Sequence, residues 1–154
     1  MSDVPPADGR EATPQAPRAE LRVVLVSPDR VAYDGPAQAV IAPGAQGMIT
    51  ILLHHAPMLT MLEPGELSLR HGDLTHYFAI GGGHLEVVDD LVTVLVDSVE
   101  RPEEIDVAEA EAACEQARTM LARYRSRPAE AALALRRAQS RLRVSKRGQA
   151  GPSA

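Results

Sequence analysis

Cysteine, aromatic side chains and long apolar runs are all scarce in this chain of 154 residues. A single cysteine, Cys114, excludes an intramolecular disulfide framework and a multi-cysteine zinc site, and favours a reducing compartment. One Phe, three Tyr and no Trp leave no stacking platform for bases or sugars, which argues against a nucleic-acid or carbohydrate binder. No apolar run approaches the roughly 18 to 20 residues that span a bilayer, and the N-terminus lacks an apolar signal-like core. Membrane association is expected only through partners.

What the chain does have is a 45% hydrophobic content, enough for a core of Val, Leu, Ile and Ala. Its formal charge of −5 hides an asymmetry. Residues 20–100 hold 3 basic and 11 acidic side chains, whereas residues 101–147 hold 11 basic and 7 acidic. From Arg118 onward ten Lys or Arg face one acid, Glu130. Opposite charges on two segments predict two different binding surfaces.

Residues 1–19 are Pro, Ala and charge without apolar periodicity, and are expected to be a disordered arm. From Leu21 the pattern becomes short β runs bounded by turn residues: 21–27, 37–42, 48–53, 66–70, 75–80, 85–88 and 91–96. Such strands need a second layer to cover their apolar faces, so residues 20–101 are predicted to form an all-β sandwich or flattened barrel.

Beyond Pro102 the composition turns to helix formers. Asp106 and Glu109 have capping-box spacing at the start of a first helix, which runs to about Tyr124. Ala113, Ala117, Met120, Leu121 and Tyr124 fall on one face. Pro128 suits the first turn of a second helix, from about Ala129 to Val144, with Ala131, Leu135, Ala138 and Leu142 on one stripe. The short break predicts an antiparallel hairpin over 102–146, followed by a disordered tail at 147–154. Alanine-rich stripes supply little hydrophobic free energy, about 0.8 kcal/mol per methyl-sized group, so the pattern fits equally a weakly held, mobile hairpin and one permanently docked on the sandwich.

Candidate chemistry is thin. His54, His55, His71, His76 and His84 show no compact ligand spacing, so no metal site is expected. Gly81-Gly82-Gly83 lacks the Lys-Ser/Thr and the helix of a phosphate loop; a turn or a close approach between strands fits better. No nucleophile, base and oxyanion set emerges, so the chain is not expected to be an enzyme by itself. The basic second helix is as well suited to an acidic protein surface as to nucleic acid.

Four stretches in order carry a family resemblance. The segment APGAQGMITILLHHAPMLTMLEPGEL (42–67) is similar to a signature of the epsilon subunit of F-type ATP synthases. So are YFAIGGGHLEVVDDLVTVLVDSVER (77–101), LRVVLVSPDRVAYDG (21–35) and the closing Arg-Leu-Arg-Val (141–144). The resemblance spans roughly 20–146. It implies a ten-stranded β-sandwich with two helices, a non-catalytic central-stalk subunit of a proton-translocating, rotary ATP synthase, bound to the gamma subunit and seated on the c-ring. By the same resemblance Gly47, Met48, His55, Ala56 and Pro57 would contact gamma and the c-ring, with His55 on the family histidine tied to gamma. The complex would lie at the cytoplasmic face of a bacterial inner membrane, the chain itself being peripheral. In this family Gly stands where this chain has Thr50, and Pro-Gly where it has Leu53-His54, so the loop there is expected to depart from the family's.

The resemblance also implies that the hairpin can inhibit ATP hydrolysis by reaching an acidic segment of the catalytic beta subunits in the alpha/beta head. Arg123, Arg125, Arg136, Arg137, Arg141 and Arg143 are the candidate contacts. Some family members bind ATP between the folded helices; here Glu100, Asp106, Arg137 and Arg141 match that site, but Glu109 replaces its motif arginine. A carboxylate in place of a guanidinium beside phosphates predicts weak or absent ATP binding and no cofactor. Two other possibilities are a free-standing sandwich adaptor whose basic helices dock an acidic protein, and a small metal-dependent hydrolase built on the histidines.

Overall fold

The structure, a computed structural model, describes residues 19–149; all but the last residue of the arm expected at 1–19, and the last five residues of the chain, lie outside them. Ten strands are followed by a 3₁₀ turn at Pro102–Glu104 and two helices. The strands are β1 (Leu21–Val26), β2 (Val31–Ala37), β3 (Ala39–Gly44), β4 (Gly47–Leu52), β5 (Met58–Leu62), β6 (Gly65–His71), β7 (Leu74–Ile80), β8 (Gly83–Val88), β9 (Leu91–Val96) and β10 (Val99–Glu100). The helices are α1 (Val107–Arg123) and α2 (Pro128–Gln149).

Hydrogen-bonded neighbours run β10-β7-β6-β3-β5-β8-β9-β1-β2, with β4 on β3. The β3–β5 step is a single register pair, Gly44 with Leu62, so the sheet folds there into two five-stranded layers. One layer is β10, β7, β6, β3 and β4; the other is β5, β8, β9, β1 and β2. All neighbours are antiparallel except β1 and β9, which run parallel from Arg22–Leu91 to Val26–Leu95. Alternation puts Leu21, Val23 and Leu25, then Val92, Val94 and Val96, into the space between layers. There they join Phe78, Leu67, Leu69, Leu85 and Ile51 in a core of nineteen buried residues. The sandwich and hairpin expected from the sequence are both present.

Sheet β6–β7 is covered on both faces. Leu67, Leu69, Phe78 and Ile80 point into the core, while α2 lies across the outer face. The contact there is small: Ala79, Ile105, Ala110 and Val144 are buried, with Tyr77 and Leu142 partly so.

The helices differ from expectation in two ways. On α1 the buried stripe is Ala110, Cys114 and Ala117, one position round from that predicted. Of the residues expected on it only Ala117 is buried; Met120 and Tyr124 are exposed. Asp106 does cap α1, its Oδ1 accepting the Glu109 N–H at 3.0 Å, but the Glu109 carboxylate turns to Arg141 instead of closing the box. At the other end α2 continues to Gln149, past the predicted end at 146. Its last turn is fastened: the Arg147 guanidinium donates to both Glu66 oxygens at 3.1 and 3.2 Å and lies 4.8 Å from the Tyr77 ring centre. Lys146 and Arg147 also complement the helix dipole.

Candidate interaction surfaces on the sandwich and the hairpin

The expected contact residues of the sandwich fall at two opposite ends of β4. Gly47, in the left-handed region at φ 126°, and exposed Met48 open the strand beside the β3–β4 turn. His55, Ala56 and Pro57 follow its far end, about 17 Å away at roughly 3.3 Å per residue. The structure therefore does not gather the five into one patch. In the far loop His54 has φ 63°, the conformation a glycine would take, which is where the family's Pro-Gly departs from Leu53-His54. Asp90 holds it: Oδ1 accepts the His54 N–H at 2.6 Å and Oδ2 lies 3.3 Å from the ring Nδ1. His55 donates its backbone N–H to Leu52 O at 3.1 Å. Among the described residues no three His, Cys, Asp or Glu cluster as metal ligands.

Gly81-Gly82-Gly83 carries the chain from β7 to β8, across from one layer to the other. The Gly81 N–H donates to Ser98 O and the Asp97 N–H to Gly82 O, at 3.0 and 2.9 Å. Gly83, at φ 152°, approaches the β9 backbone so closely that a Cβ would lie 2.0 Å from Leu95 O. It is a structural crossing.

The outer faces of the two layers differ. On β5, β8 and β9 the outward positions include Leu59, Met61 and Leu95, each more than half exposed. Cross-strand register lines up Met61, His84 and Leu95. No described element covers this apolar face.

The opposite face carries the hairpin, and there the charges segregated in sequence meet. Arg136 pairs with Glu63 in the β5–β6 connection, and Arg147 with Glu66 on β6. Arg137 lies 3.9 Å from Asp97. Arg141 donates from Nε and Nη2 to the two Glu100 oxygens at 2.7 and 3.0 Å, and from Nη1 to Glu109 at 3.3 Å. Hydrogen bonding to Glu100 raises the Arg141 pKa above its ordinary value, so the guanidinium stays charged. Exposed pairs of this kind contribute roughly 0.2 to 1 kcal/mol each, and a bidentate, partly buried pair such as Arg141–Glu100 sits toward the upper end. Arg123, Arg125 and Arg143 are exposed and have no ion pair among the described residues.

The four nucleotide-site candidates divide similarly. Glu100, Arg137 and Arg141 line a cleft of about 340 Å³ between hairpin and sandwich, with Ser98, Ser140 and Ala113. Asp106 is instead the cap of α1. Glu63, Glu66, Asp97, Arg147 and Tyr77 were not singled out from sequence. The acidic excess of residues 20–100 was the signal that pointed toward the first three.

A family model described as ATP synthase, Delta/Epsilon chain, beta-sandwich domain matches residues 20–102. An ATP synthase epsilon chain of Dehalococcoides mccartyi is 39% identical over 137 residues, 87% of this chain and 98% of that one. One from Acidithiobacillus ferridurans is 47% identical over 102 residues, 66% of this chain and 72% of that one. A chain of the Euglena gracilis mitochondrial ATP synthase, from its OSCP/F1/c-ring structure in rotational state 1, shares the fold. Its TM-score is 0.71 at 21% identity, over 91% of this chain and 88% of that one. The sandwich and its family model thus set the class, the delta/epsilon chains. Within it, the chain belongs to the ATP synthase epsilon chain family, and is a non-catalytic rotor subunit of that enzyme complex.

Proposed function

We propose that the sandwich is a passive clamp linking the gamma subunit to the c-ring, and that the hairpin is a movable basic arm that restrains ATP hydrolysis. The observation that carries this is the contrast between the outer faces. One is bare and apolar at Leu59, Met61 and Leu95; the other is covered by a basic helix over only four buried apolar residues. An unpartnered apolar sheet face suits a permanent grip, whereas a contact made largely of exposed ion pairs suits a reversible one.

In this scheme gamma is held by the apolar face together with His55, Ala56 and Pro57. The opposite end of β4, at Gly47 and Met48, seats on the c-ring. Arg123, Arg125 and Arg143, joined on release by Arg136, Arg137 and Arg141, reach the acidic part of the catalytic head. Among the described residues no helix is long and apolar enough to cross a membrane, which is compatible with peripheral attachment through the complex at the cytoplasmic face of a bacterial membrane. ATP does not fit the cleft between hairpin and sandwich: Arg141 is already occupied by Glu100 and Glu109, two carboxylates where phosphates would have to sit.

Truncation after Arg101 in the reconstituted complex tests this. The shortened chain should still assemble with gamma, because the nineteen-residue core lies wholly within the sandwich, and hydrolysis should rise. Unchanged hydrolysis across a range of salt removes the inhibitory role. A folded sandwich that no longer binds gamma removes the clamp.

A further inference from the structure

We propose that Asp90, in the β8–β9 turn, is a positioning residue for the gamma contact: it fixes the β4–β5 loop through His54 and so sets the direction of His55, Ala56 and Pro57. That those three residues meet gamma rests on the function proposed above; the tether between turn and loop does not.

The loop opens with a reverse turn. The His55 N–H donates to Leu52 O at 3.1 Å, which makes Leu53 and His54 the two central residues. Of these only His54 has a positive φ, 63°. Left-handed backbone at the second central position alone is the pattern of a type II turn, which favours Pro first and Gly second. The family's Pro-Gly satisfies that preference, whereas Leu53-His54 does not. Leu53 is anchored instead by packing against the sandwich core. His54 needs a hold from elsewhere, because its Cβ crowds the adjoining carbonyl in a conformation that costs glycine nothing.

Asp90 supplies that hold. Val88 pairs with Leu91, so Asp89 and Asp90 are the two residues of a tight hairpin turn, at φ 48° and 61°. The Asp90 backbone carbonyl accepts the Arg22 N–H at 2.9 Å, where the parallel pairing of β1 with β9 begins. Its carboxylate therefore stands on a fixed base. Oδ1 accepts the His54 N–H at 2.6 Å and Oδ2 lies 3.3 Å from the ring Nδ1. A charged acceptor on a backbone N–H makes one of the stronger hydrogen bonds available to a protein. Turn chemistry alone does not account for this contact. Asp89 shares the left-handed conformation, yet among the described residues no hydrogen bond or ion pair joins its carboxylate to the loop. One side chain thus fastens the β8–β9 turn to the loop, while Ala56 and Pro57 stand exposed just beyond.

The test uses the full-length chain and purified gamma. Asp90→Gly removes the carboxylate but keeps the turn, since glycine takes φ 61° freely. The His54 and His55 amides should exchange about tenfold faster, with strand protection retained. Gamma should bind about tenfold more weakly, as for loss of one hydrogen bond to a charged group. Adding His54→Gly should return gamma binding to within about twofold of the parent, because glycine holds a left-handed turn unaided. Asp89→Gly should leave both measurements unchanged. Parent-like gamma binding by Asp90→Gly, an equal loss in Asp89→Gly, or no recovery in His54→Gly/Asp90→Gly overturns the proposal. Should Asp90→Gly lose strand protection, Asp90→Asn takes its place. The acceptor then becomes neutral, so affinity should fall about threefold and recover on adding His54→Gly; failure to recover overturns the proposal.

Ala56→Arg separates this idea from the one beneath it. Gamma binding that survives Ala56→Arg shows that the loop does not face gamma, and the clamp loses this contact. Binding lost to Ala56→Arg but untouched by Asp90→Gly removes only the positioning role.

Discussion

Gly83 marks a point where the start of β8 meets the backbone of its neighbour β9. A methyl group there would meet Leu95 O at 2.0 Å, and φ 152° is strained for any L side chain. Gly83→Ala is therefore expected to cost about 2 to 4 kcal/mol, combining overpacking with backbone strain, and to lower Tm by at least about 5 °C in a thermal melt. A melt within 1 °C of the parent would contradict the crossing geometry. The triple glycine was legible as a turn or close approach because the phosphate-loop residues are missing around it. His54 was only partly legible. The missing Pro-Gly signalled an altered loop; in it the histidine takes a left-handed conformation, with its N–H and ring held by Asp90, thirty-six positions on. Sequence separation hid that partner.

Among the elements, apolar runs bounded by turn residues were readable, and β2, β5 and β10 were not. β2 carries Gly35 and Pro36, residue types that ordinarily interrupt strands; as an edge strand paired only to β1, it tolerates them. β5 is Met-Leu-Thr-Met-Leu, low in β-branched residues, and β10 has two residues. The face of α1 was misread because Ala and Glu alternate along it, leaving several small-residue stripes, and packing against α2 chose among them. The 3₁₀ turn at Pro102–Glu104 joins sandwich to hairpin and carries its own pH dependence. Hydrogen bonding from the Arg30 guanidinium, in the β1–β2 turn, holds the Glu104 carboxyl down to about 2 from its ordinary 4.5. The folded pKa is depressed, so the stabilisation is present above about pH 4.5 and is lost as pH falls toward 2. Glu104→Gln should flatten this part of the acid-unfolding curve. A parent and variant with the same slope between pH 4.5 and 2 would show that the junction does not titrate this way.

For the molecule as a whole, the division into an acidic sandwich and a basic hairpin was legible from charge counts, but the first acidic surface the hairpin meets was not. It is the chain's own sandwich, which becomes visible only once folding brings Glu63, Glu66, Asp97 and Glu100 beneath α2. The same folding pairs Arg141, in the cleft between hairpin and sandwich, with Glu100 and Glu109. Titration calorimetry of the isolated full-length chain is thus expected to give an ATP dissociation constant weaker than about 100 µM, or about 5.5 kcal/mol of binding. Tighter binding would mean that Glu100 and Glu109 release Arg141 to the nucleotide. The parallel pairing of β1 with β9 bears on biogenesis. The strand nearest the N-terminus is zipped between β2 and a partner some seventy residues downstream, a non-local contact of the kind that slows folding. During translation β1 must wait for β9 before the sheet can close, yet every residue that closure needs is made before α2. Synthesis therefore delivers Glu63, Glu66, Asp97 and Glu100 before the helix whose arginines pair with them.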